Sequence, residues 1–212
     1  YVIKTDGGVQ MVNDLQAPAG LISLPGGGGA ESSMLLRLEV PAGQTSGAGS
    51  FTDKLTLRLF DISGAATQVG PDKTAAANGF VPARAQINLA GGDAAFGEFA
   101  LDHLDFGELQ EGETRDAAVQ VRSTAPVTVT VLSQNGGVLK HKILGDSVPS
   151  VPYSLTLAGE AGNLAVTPLL IDRTPRLTLS GENYPLRVVV GPTTGRVAGQ
   201  YQDVLTISVV PR

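Results

Sequence analysis

Apolar and polar positions alternate in short runs over much of this chain. Ala83, Ala85, Ile87 and Leu89 are separated by Arg84, Gln86 and Asn88. Leu55, Leu57 and Leu59 are separated by Thr56 and Arg58, and Leu205, Ile207 and Val209 by Thr206 and Ser208. A period of two turns successive side chains to opposite faces, so each run predicts a strand with one face toward a core. Residues 119–132 read VQVRSTAPVTVTVL, two β-branched runs interrupted at Pro126. Proline cannot donate to a strand ladder, which predicts a bend or an edge there. Ser133-Gln134-Asn135-Gly136-Gly137 predicts a tight turn, because Asn and Gly tolerate positive φ. Nowhere do apolar residues recur at helical spacing for long enough to make a helix. Short strands separated by turn signals every 8–12 residues or so predict an antiparallel β-sandwich.

One stretch occurs twice. Residues 36–61 align without gaps on residues 186–211, 150 positions later. Leu36, Arg37 and Val40 fall on Leu186, Arg187 and Val190. Ala48-Gly49 falls on Ala198-Gly199, Asp53 on Asp203, and Leu55-Thr56 on Leu205-Thr206, while Phe51 meets Tyr201. Each copy holds two apolar runs joined by a Gly- and Thr-rich connection, which predicts a hairpin in each, residues 34–40 with 51–60 in the first. Upstream, Tyr153-Ser154-Leu155-Thr156-Leu157-Ala158-Gly159 resembles Tyr1-Val2-Ile3-Lys4-Thr5-Asp6-Gly7 with a two-residue slip. An internal repeat of this length means two domains of one kind. Residue 1 then corresponds to a point halfway through a domain. The expected organisation is 1–61 as the C-terminal half of one sandwich, 62–79 as a linker or closing strand, and 80–212 as a complete domain. The other half of the first domain is expected to have been removed, left out, or supplied by another polypeptide.

Composition narrows the function. A hydrophobic share of 42% in 212 residues suffices for real cores, and 27 glycines with 13 prolines suit many turns. The net charge of −5 is spread out, and no basic stripe is present to meet phosphates, which argues against a nucleic-acid partner. No run of about 18 apolar residues exists to span a membrane as a helix. There is no cysteine, so disulfides, thiolate metal sites and a cysteine nucleophile are excluded. No signal peptide is visible and the first residue is not Met, which fits a processed or truncated product.

Candidate chemistry is sparse. His103 lies between Asp102 and Asp105, but strand alternation points neighbours apart. His141, between Lys140 and Lys142, reads as part of a basic surface patch. Two histidines cannot build the usual three-ligand catalytic zinc site. Asp102, Asp105, Glu108, Glu111 and Glu113 match no compact calcium-loop spacing and read as a solvated turn face. Gly26 to Gly29 follow Pro25 without the Gly-Lys-Ser/Thr of a phosphate loop, so they read as a plain loop. No Gly-x-Ser-x-Gly elbow appears. No catalytic residue, cofactor or metal ligand is therefore expected, and assembly or binding remains.

Several segments in order carry a resemblance: Leu104-Asp105-Phe106-Gly107, Asn135-Gly136-Gly137-Val138-Leu139, Val151-Pro152-Tyr153-Ser154-Leu155, and Ala198-Gly199-Gln200-Tyr201-Gln202-Asp203 ahead of a final Thr/Ile/Val strand. The series resembles the spore coat protein U domain, the subunit domain of archaic (Csu-type) chaperone–usher pili. It covers about 80–212 as a full domain and 1–61 as the second half of another. The resemblance implies tandem immunoglobulin-like sandwiches, the last one lacking its final strand. It further implies a periplasmic chaperone, an outer-membrane usher and neighbouring pilus subunits as partners, with room for a surface receptor. The protein would be secreted through the periplasm to a cell-surface fimbrium, as a tip or adapter subunit without enzymatic activity. Family members often carry Cys where this chain has Ser123. Leu205, Ile207 and Val209 are the expected acceptor groove for a donor strand or chaperone, with Leu55, Leu57 and Leu59 equivalent in the first domain. An apolar edge left open is otherwise a liability, and strand addition by another chain would satisfy it. The competing expectation is a carbohydrate-binding β-sandwich of a secreted protein, for which four Tyr, six Phe and no Trp offer few platform residues.

Overall fold

The computed structural model describes residues 1–11, 33–89 and 103–212. The chain is all-β, with no helix among the described residues. It divides into two compact units, Tyr1–Gln44 and Thr45–Arg212. Leu21 to Leu24, the glycines Gly26 to Gly29 and Asp102 lie outside the described residues.

The smaller unit carries β1 (Val2–Thr5) and β2 (Leu36–Glu39), paired antiparallel from Val2↔Glu39 to Thr5↔Leu36. After Thr5 the chain turns at Asp6 to Gly8 and comes back along β1. Thr5 N–H bonds the Val9 carbonyl at 2.9 Å and Met11 N–H bonds the Ile3 carbonyl at 2.8 Å.

The larger unit opens with a two-stranded ribbon of β3 (Gly49–Leu57) and β6 (Lys73–Val81), paired over nine residues from Gly49↔Val81 to Leu57↔Lys73. Between them β4 (Phe60–Asp61) and β5 (Thr67–Gln68) make a small hairpin. Residues 62–79, expected to be a linker or closing strand, thus hold β5 and most of β6.

Two sheets follow. One has the order β15-β10-β11-β14-β8-β7, with β12 also on β11. Its members are β7 (Ala85–Leu89), β8 (Thr114–Ser123), β10 (Val138–His141), β11 (Val151–Leu157), β12 (Glu160–Gly162), β14 (Glu182–Val190) and β15 (Tyr201–Gln202). The other has the order β13-β9-β16, from β9 (Val127–Ser133), β13 (Leu169–Arg173) and β16 (Leu205–Pro211). Val119, Val121, Leu155, Leu157, Leu186 and Val188 of the first sheet pack against Val127, Val129, Val131, Leu169 and Ile171 of the second. The core is rich in valine because β-branched side chains fit a pleated surface. Pro126 sits in the bend that carries the chain from β8 in one sheet to β9 in the other. Gly136 and Gly137, at φ of 70° and 77°, make the turn that returns it.

The two expected hairpins do not form. β14 pairs β11 and β8, whereas β16 pairs β9 in the opposite sheet. In the first copy β2 pairs β1 and β3 pairs β6. Glycine- and threonine-rich connections serve a strand that crosses between sheets as well as one that turns back on its partner.

The repeat is nevertheless built into the backbone. Thr5↔Leu36, Lys4↔Arg37, Ile3↔Leu38 and Val2↔Glu39 in β1–β2 correspond one for one to Leu157↔Leu186, Thr156↔Arg187, Leu155↔Val188 and Ser154↔Val189 in β11–β14. The two-residue slip of the sequence alignment is the slip of this register. Gly49 and Gly199 share an uncommon backbone, at φ of 150° and 152°. A Cβ on Gly49 would meet nothing within 4 Å, but one on Gly199 would fall on the His141 ring at Nε2. Gly199→Ala is therefore expected to cost about 3 kcal/mol from backbone strain plus steric overlap, and Gly49→Ala about 1 kcal/mol from strain alone. Urea denaturation of the two variants checks this contrast.

Candidate functional site

The chain changes sheets between β15 and β16, and Asp203 stands at that corner. Its Oδ2 accepts from Ser133 Oγ and from Tyr153 OH, both at 2.5 Å. Its Oδ1 accepts from Asn135 N–H at 3.0 Å and from Val204 N–H at 2.7 Å. Ser133 Oγ in turn accepts from Gly137 N–H at 2.6 Å. One carboxylate thus ties the end of β9, the turn after it, β11 and the start of β16. In the first copy Asp53 makes the same local contact, accepting from Lys54 N–H at 2.8 Å.

Burial, and then the bond to Asp203, push the Tyr153 phenol well above its ordinary value of 10.0. The neutral phenol is favoured in the fold, so this contribution to stability is intact below about pH 10 and declines as pH rises above it. Burial raises Tyr184 in the same direction. Tyr153→Phe is expected to flatten part of the alkaline loss of stability, leaving the part due to Tyr184. Thermal unfolding between about pH 8 and 11 measures both.

From this corner β16 runs along the rim of the sandwich. Among the described residues its one strand partner is β9. Gln134 N–H bonds Val204 O at 2.9 Å, and Arg212 N–H bonds Pro126 O at 2.8 Å, in register with the β9–β16 ladder. Antiparallel ladders bond alternate pairs. Even-numbered residues of β16 therefore direct their backbone groups to β9, and Leu205, Ile207 and Val209 direct theirs to the open side. The same three side chains are half-buried and lie against the core. Among the described residues the strand thus presents unpaired backbone groups and an apolar row along one line.

Across the rim, β7 approaches β16. Its partner is β8, and Thr124 N–H bonds Arg84 O at 2.9 Å in that register. By the same alternation Ala85 and Ile87 direct their backbone groups away from β8, while Leu89 N–H is taken by Asn88 Oδ1 at 2.9 Å. Ala85, Ile87 and Leu89 are also half-buried against the core. Sequence alternation marks these residues as a strand but does not place them beside β16. That two strands so distant in sequence border one gap is a property of the topology. Ser123 anchors the start of β7. Its buried hydroxyl lies 2.8 Å from Arg84 O and 2.7 Å from Ala125 O.

The first-copy residues are placed differently. Leu55 is half-buried and Leu57 is exposed on β3, while Leu59 lies beyond the strand and is 51% exposed. Their strand is already paired with β6.

Neither histidine follows the pattern of a ligand set. His103 is exposed. His141 is buried rather than part of a surface patch, because alternation in β10 turns it inward and Lys140 outward. Its Nδ1 accepts from Ile143 N–H and Leu144 N–H, and its ring packs edge-on against Tyr201 at 5.1 Å. In the acidic stretch Asp105 caps Gly107 N–H at 2.8 Å, and Arg115 bonds the Asp105 carbonyl while lying over the Phe106 ring. These are contacts of a turn. Among the described residues no three His, Asp or Glu side chains converge as for a metal ion.

No family model matches the chain, and no curated protein does. Solved structures give distant likenesses. One is a complex of the chaperone CsuC with the tip adhesion subunit CsuE from archaic chaperone–usher Csu pili of Acinetobacter baumannii. It has 18% identity and a TM-score of 0.44, over 83% of this chain and 63% of that one. A second is the CooA pilin subunit from enterotoxigenic Escherichia coli, with 21% identity and a TM-score of 0.31, over 45% and 70%. A third is a chaperone–tip adhesin complex of CFA/I fimbriae biogenesis, with 15% identity and a TM-score of 0.42, over 80% and 54%. At such identities and scores these are likenesses only, and they assign neither activity nor partner.

Proposed function

We propose that this protein is a structural subunit of a secreted surface fibre, of the spore coat protein U kind, that receives a β-strand from another chain. The observation that carries the reading is the pair of facing rims on β7 and β16. Backbone groups and apolar side chains both turn toward one gap there, which is what an added strand requires. A periplasmic chaperone would cover the gap first, and a neighbouring subunit delivered through an outer-membrane usher would fill it later. Leu205, Ile207 and Val209 form one wall of this acceptor, and Ala85, Ile87 and Leu89 the other.

The first copy supports a place at the end of the fibre. Its counterpart of β16 is β3, and β3 is paired in cis with β6 along nine residues. Of the two equivalent strands, β16 alone would then stand vacant among the described residues, as in a tip or adapter subunit. Any adhesive contact would come from the first domain.

Co-expression with the chaperone and usher of its own secretion system tests the reading. Ladders of complexes on gels of unboiled samples, together with slowed amide exchange at Leu205, Ile207 and Val209 in the chaperone-bound protein, are the expected results. A protein that stays monomeric, exchanges unchanged, and binds glycans as a monomer would instead be a carbohydrate-binding module.

A further inference from the structure

The smaller unit repeats part of the large sheet, and the repeat identifies what its open side lacks. Ile3 and Thr5 use their backbone groups on the returning strand, through Met11 and Val9. By alternation Val2 and Lys4 face Glu39 and Arg37. Leu36 and Leu38 therefore direct their backbone groups to the far side of β2, where no described strand lies. In the second copy the equivalent edge of β14 is bonded to β8 from Glu182↔Val121 to Val189↔Thr114.

Burial follows the same division. Leu36 and Leu38 are 37% and 46% exposed, whereas their counterparts Leu186 and Val188 are each 4% exposed. The charges divide likewise. Arg187 is held by Asp116 of β8 through two bonds, at 2.7 and 3.1 Å. Its counterpart Arg37 is exposed and has no ion pair among the described residues, since Glu39 pairs with Lys4 at 2.6 Å.

We infer that the open edge and apolar face of β1–β2 form a docking surface for a β-strand of β8's chemistry. That strand runs antiparallel to β2, places a small apolar residue across from Leu36 as Ala117 lies across from Leu186, and places a carboxylate across from Arg37. The inference goes beyond the strand-acceptor reading and concerns another edge. It would stand if β16 proved never to receive a strand.

The test uses the full chain and a synthetic peptide of residues 113–123. The peptide is expected to bind saturably and to slow amide exchange at Leu36 and Leu38. A peptide carrying Asp116→Lys should bind about fivefold more weakly, the scale of an exposed ion pair. In the Arg37→Glu protein the preference should reverse. Failure to bind, binding that leaves those two amides unprotected, or a preference unchanged by Arg37→Glu would each overturn the inference. Because the acceptor reading is scored at Leu205, Ile207 and Val209, the two fail separately.

Discussion

Asp203→Ala is expected to destabilise the larger unit by about 3–4 kcal/mol, the loss of a part-buried carboxylate that satisfies several donors at once. Ser133 Oγ, Tyr153 OH and the N–H groups of Asn135 and Val204 would all lose their acceptor. Asp203→Asn keeps the shape and one acceptor oxygen, so about half that loss is expected. Urea titration should show a lower midpoint with an unchanged slope if the damage is confined to the corner. A second consequence is local. The carboxylate sets where the chain leaves the first sheet for β16, so relative to the parent the alanine variant should show faster amide exchange at Thr206 and Ser208, which bond β9, with β14 unchanged. A variant as stable as the parent would mean that the corner is held by the ladder alone.

Ile207→Asp is expected to abolish strand capture, weakening it at least about a hundredfold, because a carboxylate would be shut into an apolar groove without a partner. Thr206→Asp is the control. Thr206 is exposed on the outer face of β16, where a charge stays in water, and it should capture strands as the parent does. Ile207 also touches the core, so folding of the variant needs its own check. The β11–β14–β8 ladder is remote from β16 in the sheet order and should keep its exchange protection. Ile207→Ala provides a milder step, with capture reduced about tenfold and the fold intact. Chaperone bound by Ile207→Asp as tightly as by the parent would show that the groove lies elsewhere.

Much of this was legible in the chain itself. Period-two alternation located β7, β9 and β16 and their inward faces. The echo of residues 36–61 at 186–211 carried through to a common pairing register at 36–39 and 186–189, while β3 and β16 took different partners. What alternation does not encode is which strands become neighbours. Leu186 and Leu205 belong to opposite sheets, although the linking segment has the turn residues of a hairpin. Opposition of β7 to β16 depends on the whole topology and leaves no local mark. His141 reads as surface from its neighbours because Lys140 marks the other face of β10 and Lys142 the exposed turn beyond it, while His141 itself faces inward. Asp203 was visible as a repeated residue, but its role as an acceptor for several donors depends on Ser133 and Tyr153 arriving from other strands.

Ser123 has a practical consequence. The tie from the end of β8 to the start of β7 is made by a hydroxyl between two carbonyl oxygens, and the chain has no thiol at all. Nothing in the framework must be oxidised for it to close. The sandwich should therefore reach the same state in a reducing compartment as in an oxidising one, and reductant in the buffer should leave its unfolding curve where it was.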